Sequence, residues 1–350
     1  MAHIGIVGAG LAGVGAAYAL RESDHEVTLL EKSRGVGGRA ATRRRNDCVY
    51  DHGANYVKER DDRTTDLIRE LGEEGLVDEI GPVWTFERDG EIDPSDREEE
   101  RKYTWEAGIT QFAKRLLART DADVHKTTRV ESLARDPEDD AWTATDADGD
   151  DHGPFDAIVL TPPAPQTADL LRATDWPDDD GALEALATAV EDVPFRTIRT
   201  LVFGYDFSLD VPWYAAVNTD TEHEVGWLAR EECKPGHVPD GETLLIAQMS
   251  PEWSSDHYDD SLEDAAEAGA SLVAGLVDDG RLEDPEWVDD QGWRYALPNA
   301  GLDLDADDGA RSRARDAGLY VAGDWVAGAG RVHEALWNGV DTGEAVADRL

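Results

Sequence analysis

The chain has two cysteines in 350 residues, Cys48 and Cys233, and no Cys-x-x-Cys pair. A disulfide framework, a thiolate zinc site and a dithiol redox centre therefore all lack material, and no metal site is expected. Lysine is nearly as scarce. Lys32, Lys58, Lys102, Lys114, Lys126 and Lys234 are the only ones, and arginine supplies the other cations. No basic face or stripe is visible, so no nucleic-acid partner is expected. Long apolar runs are missing too, and nothing reaches the length of a bilayer span. Ile4–Leu20 is apolar but has no basic flank, is rich in glycine and leads straight into a second strand pattern. It does not read as a secretory signal. The expected setting is cytoplasmic, with no membrane partner.

Acid is in excess. Asp and Glu number 77 against 33 Lys and Arg, a formal net charge of −44. The acid is spread along the chain, in "DREEER" (96–101), "DADGDD" (146–151), "PDDDG" (177–181) and "DLDADDG" (303–309). An acidic interaction protein would concentrate it in one tail; scattered acidic loops read as solvated surface. Such charge strains a compact state at low salt, and molar salt relieves it by shortening the Debye length to about 3 Å. The expectation is a halophilic protein of a high-salt cytosol. The 40% hydrophobic content is that of a folded protein large enough for two interlocked domains.

Against this background, "EKSRGVGGRAATRRR" (31–45) gathers six basic side chains in a glycine-rich stretch, which points to a phosphate-bearing ligand. "HIGIVGAGLAGVGAAYAL" reads as strand, tight turn and helix, with Gly8, Gly10 and Gly13 in G-x-G-x-x-G spacing around Ala12. The glycines permit the turn, let backbone approach a pyrophosphate and let the helix pack on the strand. The helix N-terminus offers free N–H groups to phosphate. "EVTLLE" forms the second strand and ends on Glu31, placed to accept hydrogen bonds from an adenosine ribose. Lys32 follows. An acid there repels a 2′-phosphate, so the tightly bound dinucleotide is not expected to be NADP.

Gly37, Gly38 and Arg39 resemble the GG-R motif that follows the ribose acid in flavoproteins of the amine oxidase and renalase superfamily. There the arginine backs the FAD pyrophosphate, a role suited to a rigid, multidentate guanidinium. Arg43 either holds the loop or attracts an anionic substrate; Arg44 and Arg45 read as surface residues paired with carboxylates. "YDHGANYV" (50–57) resembles the family segment beside the isoalloxazine ring, with Ala54 and Asn55 at the cofactor and Asn55 and Tyr56 facing substrate. His52 is read as structural, with a base as the alternative. In the C-terminal "GLYVAGDWVAGAGRVHEALWNGVDTGEAVADRL", Gly323-Asp324 resembles the second FAD motif, whose aspartate meets the ribityl chain. Gly330, Arg331 and Val332 precede a helix whose N-terminus would face the flavin N1–C2 edge. His333 lies in its first turn with an open role. Val130, in "DVHKTTRVESLARD", matches a strand whose backbone meets the adenine.

Between these motifs, a short helix is expected over Thr65–Leu71. A further helix after Thr110, read as its N-cap, carries Phe112, Leu116 and Leu117 at helical spacing. "AWTATDADGDD" reads as a hairpin, and "FDAIVL" as a buried strand that prolines end. "RTIRTLVFGYDF", "VGWLARE" and "TLLIAQMSPEWS" read as strands of one antiparallel sheet, and "SLEDAAEAGASLVAGLVDD" as an amphipathic helix. In "QGWRYALP" (291–298), Trp293 and Arg294 suit an anionic planar ligand. A packed strand with an outward arginine is the alternative.

Resemblances at 4–56, 105–117, 155–166, 245–254, 291–298 and 319–345, in order, identify the chain as similar to renalase-like NAD(P)/FAD-dependent oxidoreductases. The resemblance implies a p-hydroxybenzoate-hydroxylase-like α/β fold with an α+β substrate part. A Rossmann-type FAD domain (1–60, 121–170, 305–350) is interleaved with an antiparallel-sheet substrate domain (61–120, 171–304). It implies non-covalent FAD, since the tethering cysteine of monoamine oxidases has no counterpart. The implied activity is oxidation of 2- and 6-dihydro isomers of NAD(P), with hydride passing to flavin N5 and electrons to O2, giving H2O2. An amine or polyene oxidoreductase of the same superfamily and a non-catalytic flavin-binding protein are the alternatives.

Overall fold

Ile4, Ile6 and Val7 lie in the strand His3–Val7, whose last four residues are buried. Continuous burial is the mark of a parallel strand covered on both faces. In the computed structural model that strand sits inside a five-stranded sheet ordered Leu319–Val321, Ala157–Leu160, His3–Val7, Glu26–Glu31, Asp123–Lys126. Every neighbouring pair in it is parallel. The helix Leu11–Ala19 leaves the first strand and packs against the C-terminal helix Val332–Arg349. Their approach needs glycine: a Cβ on Gly339 would stand 2.0 Å from the Ala12 carbonyl oxygen.

A three-stranded sheet of Val130–Asp136, Ala141–Asp146 and Asp151–Phe155 joins this unit, and its last two strands are the expected hairpin. Trp142, fully buried, donates its Nε1–H to the Ala317 carbonyl at 2.8 Å. Ala157–Leu160 is wholly buried. The prolines after it start a helix, Ala164–Arg172, with Pro163 as its N-cap.

The structure describes residues 1–59, 61–72, 74–96, 100–177, 180–303 and 309–350. These form two compact units that alternate along the chain: Met1–Arg39, Phe112–Phe195 and Leu297–Leu350 in the first, Ala40–Gln111 and Arg196–Ala296 in the second. The sequence-drawn breaks at 60/61, 120/121 and 170/171 differ from these; that at 304/305 lies outside the described residues. So do parts of the acidic runs at 96–101, 177–181 and 303–309. Residues 147–151 of the remaining run, 146–151, are exposed.

The second unit carries a six-stranded sheet ordered Trp287–Pro298, Phe195–Tyr205, Thr243–Met249, Val225–Arg230, Ala215–Asn218, Val83–Phe86. Alternate residues of Phe195–Tyr205 face opposite sides. Leu201 and Phe203 meet the helix Leu262–Val277, whereas Val202 joins Leu244 and Ile246 on the other face.

Several local expectations need correction. The sheet is not purely antiparallel, because Val83–Phe86 pairs parallel to Ala215–Asn218. "PEWS" is not strand: Ser250 caps a helix Pro251–Asp256 by accepting from Trp253 N. Thr110 is the first residue of the helix Thr110–Leu117 rather than its cap, and its hydroxyl accepts from Thr42 N at 2.8 Å. The short helix runs Asp62–Glu70, starting earlier because Asp61 accepts from Thr64 N at 2.7 Å. Thr42–Arg45 is a strand, turning through Asn46 and Asp47, both at positive φ, into Cys48–Asp51.

Candidate functional site

In the first unit the nucleotide motifs meet. A Cβ on Gly13 would lie 2.0 Å from the Gly8 carbonyl oxygen, so glycine alone lets the helix start this close to the strand. Gly10 is the N-cap of Leu11–Ala19 and supplies no side-chain bond, leaving first-turn N–H groups for a ligand. Gly10 bridges Gly37, and a Cβ on Gly38 would lie 3.2 Å from Gly10 Cα. The loop 31–39 thus lies directly on the glycine turn.

Glu31 is buried at the sheet end. Its two carboxylate oxygens accept from Ala9 N and Ser33 N, each at 2.7 Å. Each oxygen keeps a lone pair for another donor. Lys32 is exposed and reaches Gln166 Oε1 at 3.3 Å. Arg39 Nη2 donates to Asp324 Oδ1 at 2.7 Å, joining the second and third motifs across 285 positions. Gly323 N donates to Asn338 Oδ1 at 2.8 Å, which ties the Asp324 turn to the C-terminal helix. Arg331 is the exposed N-cap of that helix and Val332 its first residue. The cap makes no side-chain hydrogen bond, so the helix N-terminus stays polarised. His333 is buried, 3.5 Å from Glu334 Oε1. Val130 begins its strand, at an irregular register opposite Asp146. Open glycine backbone, an uncapped helix and a buried acid at the sheet end fit an adenosine diphosphate moiety such as that of FAD.

The second unit holds the other candidates. His52 and Asn55 are buried; Gly53, Ala54 and Tyr56 are partly so. Trp293 stacks on His52 with ring centroids 5.5 Å apart, and its Nε1–H donates to the His52 carbonyl at 3.0 Å. Burial, and then the Arg43 charge, push His52 down to about 4, so the ring is uncharged at neutral pH. The Gly53 carbonyl accepts from Gln248 Nε2 at 2.6 Å and from Asn55 Nδ2 at 3.0 Å. Tyr56 sits in a ring group with Tyr214 and Trp227, at centroid distances of 6.3 and 6.1 Å. Arg294 is exposed, its guanidinium 4.5 Å over the Tyr258 ring.

The arginines of the opening motif have protein partners. Arg43 pairs with Asp289 at 2.6 Å and with Gln291 Oε1 at 2.9 Å. Arg44 donates to the Ala107 carbonyl and Arg45 to the Val288 carbonyl. Burial alone would raise the Asp289 pKa, but hydrogen bonds from Tyr50 and Arg43 bring it below the ordinary value.

Sequence reasoning missed a buried ionic cluster. Lys234 Nζ lies 3.0 Å from Asp51 Oδ2 and 2.7 Å from Glu231 Oε1, and Glu231 Oε2 lies 2.6 Å from His237 Nδ1. All four side chains are fully buried. Ligating atoms of Asp51, Glu231 and His237 lie within 4.8 Å of one another, a set that could hold a metal ion. Lys234 already supplies a cation there. The scarcity of lysine, with one set in "EECKPGH", was the available signal.

A family model of flavin containing amine oxidoreductases matches residues 78–349, and one of NAD(P)-binding Rossmann-like domains matches residues 6–71. The chain belongs to the flavin containing amine oxidoreductases, and it spans about a seventh of the length of the curated relatives it matches. The L-amino acid oxidase Cdc18 of Crotalus durissus cumanensis is 41% identical over 70 residues, which is 20% of this chain and 14% of that protein. A proposed protoporphyrinogen oxidase from Exiguobacterium sp. 255-15 superposes with a TM-score of 0.79 at 17% identity, over 100% of this chain and 99% of that one. Cyclohexylamine oxidase from Brevibacterium oxydans IH-35A gives 0.74 at 14%, over 99% of each. At these identities the structures show a shared mixed α/β fold. Among the described residues no helix is long and apolar enough to cross a membrane.

Proposed function

We propose that the chain is a renalase-like oxidase of a dihydronicotinamide-type substrate, the 2- and 6-dihydro isomers of NAD(P), with O2 as acceptor. The observation that carries this reading is the flat, uncharged pair of Trp293 and His52 in the second unit. Stacking on it suits a planar reduced ring that must be oriented rather than deprotonated. The resemblance of "WRYALP" to renalase-like proteins supports the same substrate, and we carry the p-hydroxybenzoate-hydroxylase-like, interleaved domain plan as part of this proposal.

Gly8, Gly10, Ala12, Gly13, Glu31, Lys32, Gly38 and Arg39 would hold the dinucleotide portion of non-covalent FAD, with Val130 at the adenine. Gly323, Asp324, Arg331 and Val332 would hold its ribityl and ring end. Ala54 and Asn55 as cofactor contacts, and Asn55, Tyr56, Trp293, Arg294 and His333 as substrate contacts, rest on the motifs alone. FAD, when bound, supplies the hydride acceptor and hands the electrons on to O2. Glu31 orients the ribose, and the Arg39–Asp324 pair keeps a guanidinium fixed for phosphate.

An amine substrate has a candidate cage in Tyr56, Tyr214 and Trp227. Two ammonium groups already face it: Lys102 Nζ is 6.0 Å over Tyr56 and Lys234 Nζ 6.0 Å over Tyr214. Tyr214 is fully buried against Lys234, so that wall of the cage is already packed by protein, which favours the dihydronicotinamide. The test is anaerobic mixing in molar KCl with a 6-dihydro-NAD isomer, with ordinary NADH and with an amine panel. Bleaching of the visible flavin band by the isomer alone, with H2O2 formed on admitting air, is expected. Bleaching by an amine, or by none of them, rejects the substrate assignment.

A further inference from the structure

Asp51 is the last residue of the Cys48–Asp51 strand, and the chain runs from it directly into His52, Gly53 and Ala54. Its carboxylate is saturated. Oδ1 accepts from the Thr42 hydroxyl at 2.7 Å and Ile109 N at 2.9 Å; Oδ2 accepts from the Thr104 hydroxyl at 3.2 Å and Lys234 Nζ at 3.0 Å. Three of these donors are neutral, and Lys234 alone brings charge.

Behind Lys234 the charges close. The Trp105 carbonyl, 2.9 Å from His237 Nε2, can only accept, so Nε2 carries a proton. The 2.6 Å contact between His237 Nδ1 and Glu231 Oε2 holds one proton more. His237 and Glu231 therefore carry no net charge between them, and Lys234 cancels Asp51. A neutral, fully hydrogen-bonded set is the form in which buried ions are tolerated. Without Lys234 the cluster holds an uncompensated negative charge at the root of the 52–55 segment.

We propose that Lys234 is a positioning residue, whose ammonium, clamped between Asp51 and Glu231, fixes the backbone of His52–Ala54 on which Trp293 and Gln248 close. The segment is held at three successive residues: Asp51 by the cluster, His52 by the Trp293 indole, Gly53 by Gln248. Those two carbonyl bonds keep their geometry only while Asp51 stays in place. The catalytic consequence rests on the substrate reading above; the positioning itself does not.

The test is Lys234→Met/Asp51→Asn, which removes one charge of each sign and leaves the cluster neutral. Hydrogen exchange of the Trp293 indole N–H reads the segment without any substrate. Exchange faster than wild type by about tenfold or more, with the thermal midpoint held, is expected. On the dihydronicotinamide, kcat should fall about 10- to 100-fold, as for a small misplacement of a reacting group. Unchanged indole exchange overturns the proposal, whatever the substrate proves to be. Faster exchange with no activity towards that substrate in wild type discards the substrate reading and keeps the positioning role. Should the double variant not fold, ¹⁵N-lysine labelling of the wild-type protein decides. A slowly exchanging ammonium resonance, lost in Lys234→Arg, is expected; its absence in wild type overturns the clamp.

Discussion

His52 is buried against Trp293 beneath the positive Arg43, and the fold keeps it unprotonated. Its folded pKa of about 4 lies below the unfolded value of 6.5, so the unfolded chain binds the extra proton between these values. Stability contributed by the neutral ring is present above pH 6.5 and is lost as pH falls towards 4. The loss is on the order of 3 kcal/mol. Urea titrations across this range in constant salt should show that slope, and His52→Phe should remove much of it. A slope unchanged in the variant contradicts the assignment. Gly13→Ala belongs to the same scale: its Cβ would stand 2.0 Å from the Gly8 oxygen. Forcing helix and strand apart should cost about 1–3 kcal/mol, and FAD affinity, read by equilibrium dialysis, should fall with it. Residues such as Gly8, Gly13 and Glu31 were legible because each serves the backbone beside it. Lys234 was marked only by the scarcity of lysine and its acidic neighbour Glu231, while its other partner, Asp51, lies 183 positions away.

Among the elements, strands with continuous apolar runs were read directly, since burial on both faces leaves no room for polar residues. Misreadings came where a cap decides. "TLLIAQMSPEWS" looks like one strand, yet Ser250 and Pro251 are a cap and a proline at the start of a helix. Ser250→Ala removes the bond to Trp253 N at 3.2 Å and should cost about 1 kcal/mol in chemical denaturation. No loss would mean the cap contributes nothing to that helix. The parallel pairing of Val83–Phe86 with Ala215–Asn218 was equally hidden, because its partners are distant in sequence and pairing direction leaves no local signature.

Across the whole molecule the net charge of −44 sets the dependence on salt. Self-repulsion among so many carboxylates opposes the compact state until salt screens it. Raising KCl from ~0.1 to ~2 M shortens the screening length from about 10 Å to below 3 Å. The thermal midpoint should rise steeply over that range, and a flat midpoint would discard the halophilic reading. The two units alternate along the chain. The observed breaks depend on which side chains each segment buries, and sequence motifs do not mark that. The central claim is that the first unit holds FAD without a covalent bond, through the joined Gly10, Glu31, Gly38 and Arg39–Asp324 motifs. The most direct measurement is flavin released on denaturing protein purified in molar KCl, identified and counted against chain, for wild type and Glu31→Ala. One FAD per chain, freed entirely into the supernatant and much depleted in the variant, is the predicted result. Flavin that stays with the precipitated chain, a flavin other than FAD, or full retention in Glu31→Ala would contradict the account.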